Sequence, residues 1–80
     1  MPRALGQAAR AIAGGADPGA ALADARATLT AAGFVVDYVE LVDAESLMPD
    51  SPADRPRQLL AAARLGTTRL IDNLAVAPIV

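Results

Sequence analysis

Apolar residues recur at helical spacing from Leu5 through Ala8, Ala9, Ile12 and Ala13, and Gly14-Gly15 breaks the pattern. A second apolar stripe runs through Leu22, Ala25, Leu29 and Ala32. Asp17 suits its N-cap, Pro18 its first turn, and Gly33 the left-handed position beyond its end. Small side chains on both stripes let two helices approach closely, so residues 3–32 are expected to form a helical hairpin. At Phe34 the period changes. Phe34 to Val42 is rich in β-branched and aromatic residues and reads as a strand with apolar groups on both faces. Asp43 is placed to cap a short helical turn over Ala44-Glu45-Ser46-Leu47, and the proline-rich stretch Met48 to Pro56 reads as a loop. Gln58–Leu65 and Thr68–Val76 then form a hairpin about Gly66-Thr67, a two-residue turn needing positive φ at its first position.

The predicted order is α-α-β-β-β. Helices followed by strands, without alternation, indicate an α+β fold: two N-terminal helices packed on one face of a small three-stranded antiparallel sheet. Pattern alone leaves open which edge of the hairpin receives the first strand. No repeat or linker divides the 80 residues, so one domain is expected over 1–80.

Composition narrows the chemistry. Much of the apolar content is alanine, and Phe34 and Tyr38 are the only aromatic residues. Such a core is thin, so the domain is expected to lean on a neighbour in a longer chain or to associate with itself. There is no cysteine for a disulfide or thiolate site and no histidine to serve as base or metal ligand. All seven basic residues are arginine and the net charge is −2, which argues against nucleic acid as a partner. No apolar run is long enough to span a membrane, and the first residues lack a signal-peptide core, so a cytoplasmic location is expected.

Three groups of polar residues merit a chemical reading. Asp37, Glu40, Asp43 and Glu45 could in principle approach a hard cation, but strand alternation predicts Asp37 and Glu40 on opposite faces, and Asp43 is expected to cap. No metal site is assigned. Arg64 and Arg69 should face each other across the two-residue turn, and like charges so placed destabilise a sheet. Water, Asp72 or an external anion could offset them. Asp72-Asn73 interrupts an apolar strand, either as a bulge or strand end whose side chains bond nearby backbone N–H groups or as a contact with a neighbouring domain. Arg64, Arg69, Asp72 and Asn73 are therefore the candidates for an inter-domain or anion contact. No serine or threonine has a histidine or lysine to activate it, and no glycine-rich phosphate loop is present, so no catalytic or cofactor-binding residue is assigned.

Val36-Asp37-Tyr38-Val39-Glu40-Leu41-Val42-Asp43-Ala44-Glu45-Ser46-Leu47, followed by Leu60 to Asn73 with its Leu-Gly-Thr-Thr-Arg-Leu-Ile-Asp-Asn segment, resembles the C-terminal domain of the pantoate–β-alanine ligases. The resemblance covers essentially the whole chain and is nearest to actinobacterial members. It implies a dimeric, two-domain cytoplasmic enzyme of pantothenate biosynthesis. An N-terminal nucleotide-binding domain forms pantoyl adenylate and pyrophosphate from pantoate and Mg-ATP, and β-alanine then displaces AMP. The C-terminal domain covers the cavity. The family's His-x-Gly-His and Ser-Ser-Arg-Asn elements are missing from these residues. The resemblance thus implies ATP and Mg for the complete enzyme, none held by this domain, and no ligase activity for the domain alone. The competing reading is a stand-alone interaction or oligomerisation module; either leads us to expect exposed apolar surface.

Overall fold

A computed structural model describes residues 1–49 and 51–79. Its elements are α1 (Pro2–Ala13), α2 (Pro18–Ala31), β1 (Val35–Asp43), β2 (Arg57–Leu65) and β3 (Thr68–Val76), the predicted α+β order.

Both helices begin on proline, whose fixed φ suits the first turn and whose missing N–H costs nothing there. Asp17 caps α2, its carboxylate accepting the Ala20 N–H at 2.9 Å. The helices end alike. At the end of α2 the Phe34 N–H donates to the Leu29 carbonyl and the Gly33 N–H to that of Thr30, each at 3.0 Å. This double bond pattern needs a left-handed residue between helix and exit; Gly33 supplies it at φ 96° without a Cβ penalty. Gly15 closes α1 in the same way. Phe34 is thereby set against the core at the entry to β1.

The strand order is β1-β2-β3, antiparallel throughout, so β1 joins the hairpin on the β2 side. Helix α2 packs over β1 and α1 over β3. The helix-covered face of the sheet contributes Val39, Leu59, Ala61 and Val76 to a core completed by Leu5, Ala8, Ile12, Ala25 and Leu29. On the central strand Ala61, Ala62 and Ala63 are fully buried, so β2 carries minimal bulk between its neighbours. The opposite face has no helix over it and includes Leu60, Ala62, Arg64 and their cross-strand partners.

Residues 44–47 make the expected single turn, closed by the Leu47 N–H on the Asp43 carbonyl at 2.9 Å. Leu47 lies at φ 61°, left-handed backbone that stops the turn at once. The plain alternation expected along β1 is interrupted by a β-bulge. Val36 pairs with Ala63 and Tyr38 with Ala62, leaving Asp37 as the extra residue of β1.

Candidate functional site

The hairpin turn places the first candidates. Leu65 pairs with Thr68, leaving Gly66 and Thr67 as the loop, with Gly66 at φ 62°. A positive φ at the first loop residue matches the right-handed twist of the flanking strands. Arg64 therefore pairs directly with Arg69 on the uncovered face.

Their repulsion is offset from an unexpected quarter. The Asp37 carboxylate, pushed out by the bulge, stands between them: Oδ1 lies 3.2 Å from Arg64 Nη2, and Oδ2 accepts from Arg69 Nε at 3.3 Å. Asp72 does not share in this. It pairs with Ala61 on the helix-covered face, and its carboxylate accepts the Asn73 N–H at 2.8 Å. Nor is there a bulge at Asp72-Asn73, because β2 and β3 stay in register from end to end. Asn73, opposite Leu60, faces out with the arginines and is exposed. Alternation thus separates Asp72 from Arg64, Arg69 and Asn73.

The bulge also corrects the expected separation of Asp37 from Glu40. By resetting the alternation it lets Asp37 meet the outward arginines, while Glu40, opposite Leu60, faces the same way. Even so, no group of three or more potential metal ligands assembles among the described residues. The arginine pair with its single carboxylate keeps one surplus positive charge. Both guanidinium groups are about half exposed. It can contact an anion; it holds no nucleophile or base.

A second polar cluster lies at the far end of β1. Asp43 is only 5 % exposed and accepts from the Glu45 and Ser46 N–H groups at 3.0 and 2.9 Å. Ser46 Oγ at 3.3 Å, Ser51 Oγ at 2.8 Å and Arg55 Nε at 2.7 Å complete the shell. The Arg55 guanidinium, followed by the donors from Ser46 and Ser51, holds the Asp43 carboxyl far below the usual carboxylate range. Asp43 in turn raises Arg55 above its ordinary value. The cap is present as expected; Arg55 and Ser51 were not foreseeable as its partners, since they reach it only when the loop 44–56 folds back. Every lone pair so engaged is unavailable to a substrate, so this cluster orders the loop.

Large apolar side chains remain open on the uncovered face, with Val35 at 58 % and Ile71 at 67 % exposure. Leu47 and Met48 project from the loop.

Residues 1–75 match the family model described as pantoate-beta-alanine ligase. The chain belongs to that family. It is 63% identical over 79 residues to a pantothenate synthetase of Rhizorhabdus wittichii, covering 98% of this chain and 28% of that protein. It is 55% identical over 77 residues to the pantothenate synthetase of Sphingopyxis alaskensis, again covering 28% of the relative. The crystal structure of a Thermus thermophilus pantothenate synthetase superposes with a TM-score of 0.80 at 33% identity, over 98% of this chain and 29% of that one. The chain thus spans under a third of the length of these ligases, and what it matches is a helix-hairpin-and-sheet unit within them. No helix among the described residues is long and apolar enough to cross a membrane.

Proposed function

We propose that this chain is the C-terminal covering domain of a pantothenate synthetase, working with a nucleotide-binding half that lies outside residues 1–80. The observation carrying this reading is a family match over residues 1–75 in a chain without histidine, lysine or cysteine, equal to 28% of the length of its relative. The complete enzyme would join pantoate to β-alanine with Mg-ATP. Pantoate would attack ATP to give pantoyl adenylate and pyrophosphate, and the β-alanine amine would then displace AMP. An acyl adenylate is lost to water unless water is excluded, and a closing domain does that without supplying a reacting group.

In this role Arg64 and Arg69, with one surplus charge on the uncovered face, meet the partner half or an anion held there; Asn73 shares that face and Asp72 the opposite one. The apolar Val35 and Ile71 are covered by the partner half or by a second copy, consistent with a dimeric, cytoplasmic enzyme. The chain alone is inactive. The test adds the N-terminal part of the Rhizorhabdus wittichii synthetase in trans and follows pyrophosphate release and pantothenate. We expect neither product from the chain alone and both from the mixture. Turnover by the chain alone overturns the covering role, and a mixture no better than the N-terminal part by itself overturns the partnership.

A further inference from the structure

The strand registers lay out the uncovered face as three rows running across β1, β2 and β3. The first row is Val35, Arg64 and Arg69, with the bulged Asp37 reaching both arginines. The middle row is Tyr38, Ala62 and Ile71, and the third is Glu40, Leu60 and Asn73. Ala62, at the centre, is fully buried between its neighbours, whereas Ile71 stands open. Glu40 is exposed, and no ion pair among the described residues involves it. Arg64 and Arg69 balance Asp37 and Glu40, so the face has no net charge. Its charges are nonetheless separated: the surplus positive charge sits toward the Arg69 corner, and the unpaired carboxylate sits at the corner diagonally opposite. A neutral face with opposite charges at opposite corners is complementary to itself, which a two-fold pair of identical surfaces requires.

Two sheets pack face to face with their strands nearly aligned or nearly orthogonal. The charges choose among the two-fold axes that lie in such an interface. An axis along β2 sets Arg64 against its own copy and leaves Glu40 on Asn73. An axis along the middle row puts Arg69 on Asn73 and Glu40 on Val35. The diagonal through Arg69 and Glu40 sets each of those charges against itself. Only the diagonal through Val35, Ala62 and Asn73 exchanges the charged corners, so that Arg69 meets Glu40 of the second copy and Glu40 meets its Arg69. The rows are about 7 Å apart and the strands about 5 Å apart, close enough to square for the corners to coincide. The same operation lays Arg64 on the Tyr38 ring, a cation–π arrangement, and Leu60 on Ile71. We propose that this face joins two copies of the chain orthogonally, with Ala62 on the two-fold axis and an Arg69–Glu40 pair at each of two corners. The patch is only about 15 Å on a side, so the dimer is a weak one, with Kd on the order of 100 µM. It makes no use of ligase chemistry and does not rest on the covering role.

Sedimentation equilibrium of the full 80-residue chain, from about 10 µM to about 1 mM, should show a monomer–dimer equilibrium that weakens as salt is raised. Glu40→Arg and Arg69→Glu each place like charges at both corners and should weaken it about tenfold or more. Mixed in equal parts, the two variants regain both opposite-charge pairs in a heterodimer, and association should return toward the wild-type level. Mixing rescues nothing if the substitutions merely damage the fold. Should either variant fail to fold by circular dichroism, Val35→Cys supplies a second measurement, since it lies on the axis in a cysteine-free chain. A short bismaleimide should link Val35→Cys to its own copy and leave Glu40→Cys unlinked. A wild-type chain that stays monomeric, variants that associate as it does, a mixture that does not recover, or the reverse cross-linking pattern overturns the dimer. A monomeric chain that binds the N-terminal part of the Rhizorhabdus wittichii synthetase, and loses that binding in Ile71→Arg, gives the face to that half. That result overturns the second copy and leaves the covering role standing.

Discussion

Asp37 and Asp43 are two aspartates of the same strand, each facing arginine, and they differ in what water is allowed to do. Asp37 projects from a bulge to two half-exposed guanidinium groups at 3.2 and 3.3 Å. Asp43 is buried beneath a loop and gathers backbone, hydroxyl and guanidinium donors at 2.7 to 3.3 Å. An exposed ion pair exchanges protein partners for equally good water and is screened by salt. A buried carboxylate has no such substitute, so each missing donor is felt. The first arrangement manages repulsion between two arginines; the second holds a loop in shape.

The largest test of that contrast is Asp43→Ala. It strips the cap, the Arg55 pair and the Ser51 bond at once, and should lower Tm on the order of 10 °C. The same carboxylate sets an acid limit. Its folded pKa is depressed, so its contribution is complete above its ordinary value of about 3.8. It is lost progressively as pH falls below that, because the unfolded chain then takes up a proton that the folded chain refuses. Acid unfolding followed by circular dichroism should show this decline, and Asp43→Ala should flatten it. If wild type and variant lose stability in parallel, Asp43 does not set the limit.

Leu47 offers a smaller test of the ordered loop. Leu47→Gly relieves the left-handed backbone at φ 61° and should stabilise by about 1 kcal/mol or less, set against the extra freedom of glycine in the unfolded chain. A loss of stability in urea unfolding would mean that the exposed leucine packs more than its 55 % exposure indicates.

Asp37→Ala should be smallest, costing about 0.5–1 kcal/mol at low salt and less as salt is raised. Combined with Arg69→Leu the cost should shrink further, since the second change removes the repulsion that Asp37 offsets. Strict additivity of the two substitutions in denaturant titrations would show that the carboxylate does not couple to the pair.

Much of this was legible along the chain. The apolar stripes, the Asp17 cap with Pro18, Gly33 and the Gly66-Thr67 turn are local signals, and each element formed where its own residues direct it. The arginine pair followed as well, because a two-residue turn dictates which residues stand opposite. The partner of that pair did not follow. A bulge arises from how β1 meets β2, and one extra residue there turned Asp37 toward arginines that are 27 and 32 positions away in sequence. Asp72, nearer in sequence, was carried to the other face by simple alternation.

By itself, then, the sequence determined the element order, the helix ends, the hairpin register and, through the Leu-Gly-Thr-Thr-Arg-Leu-Ile-Asp-Asn segment, the family. These rest on backbone preferences and spacings acting within a few residues. The tertiary structure alone decided that β1 joins at β2, that Asp37 offsets the arginines, and that Arg55 reaches Asp43. Each of those depends on groups distant in the chain being brought to within hydrogen-bonding range, and on how much water remains between them.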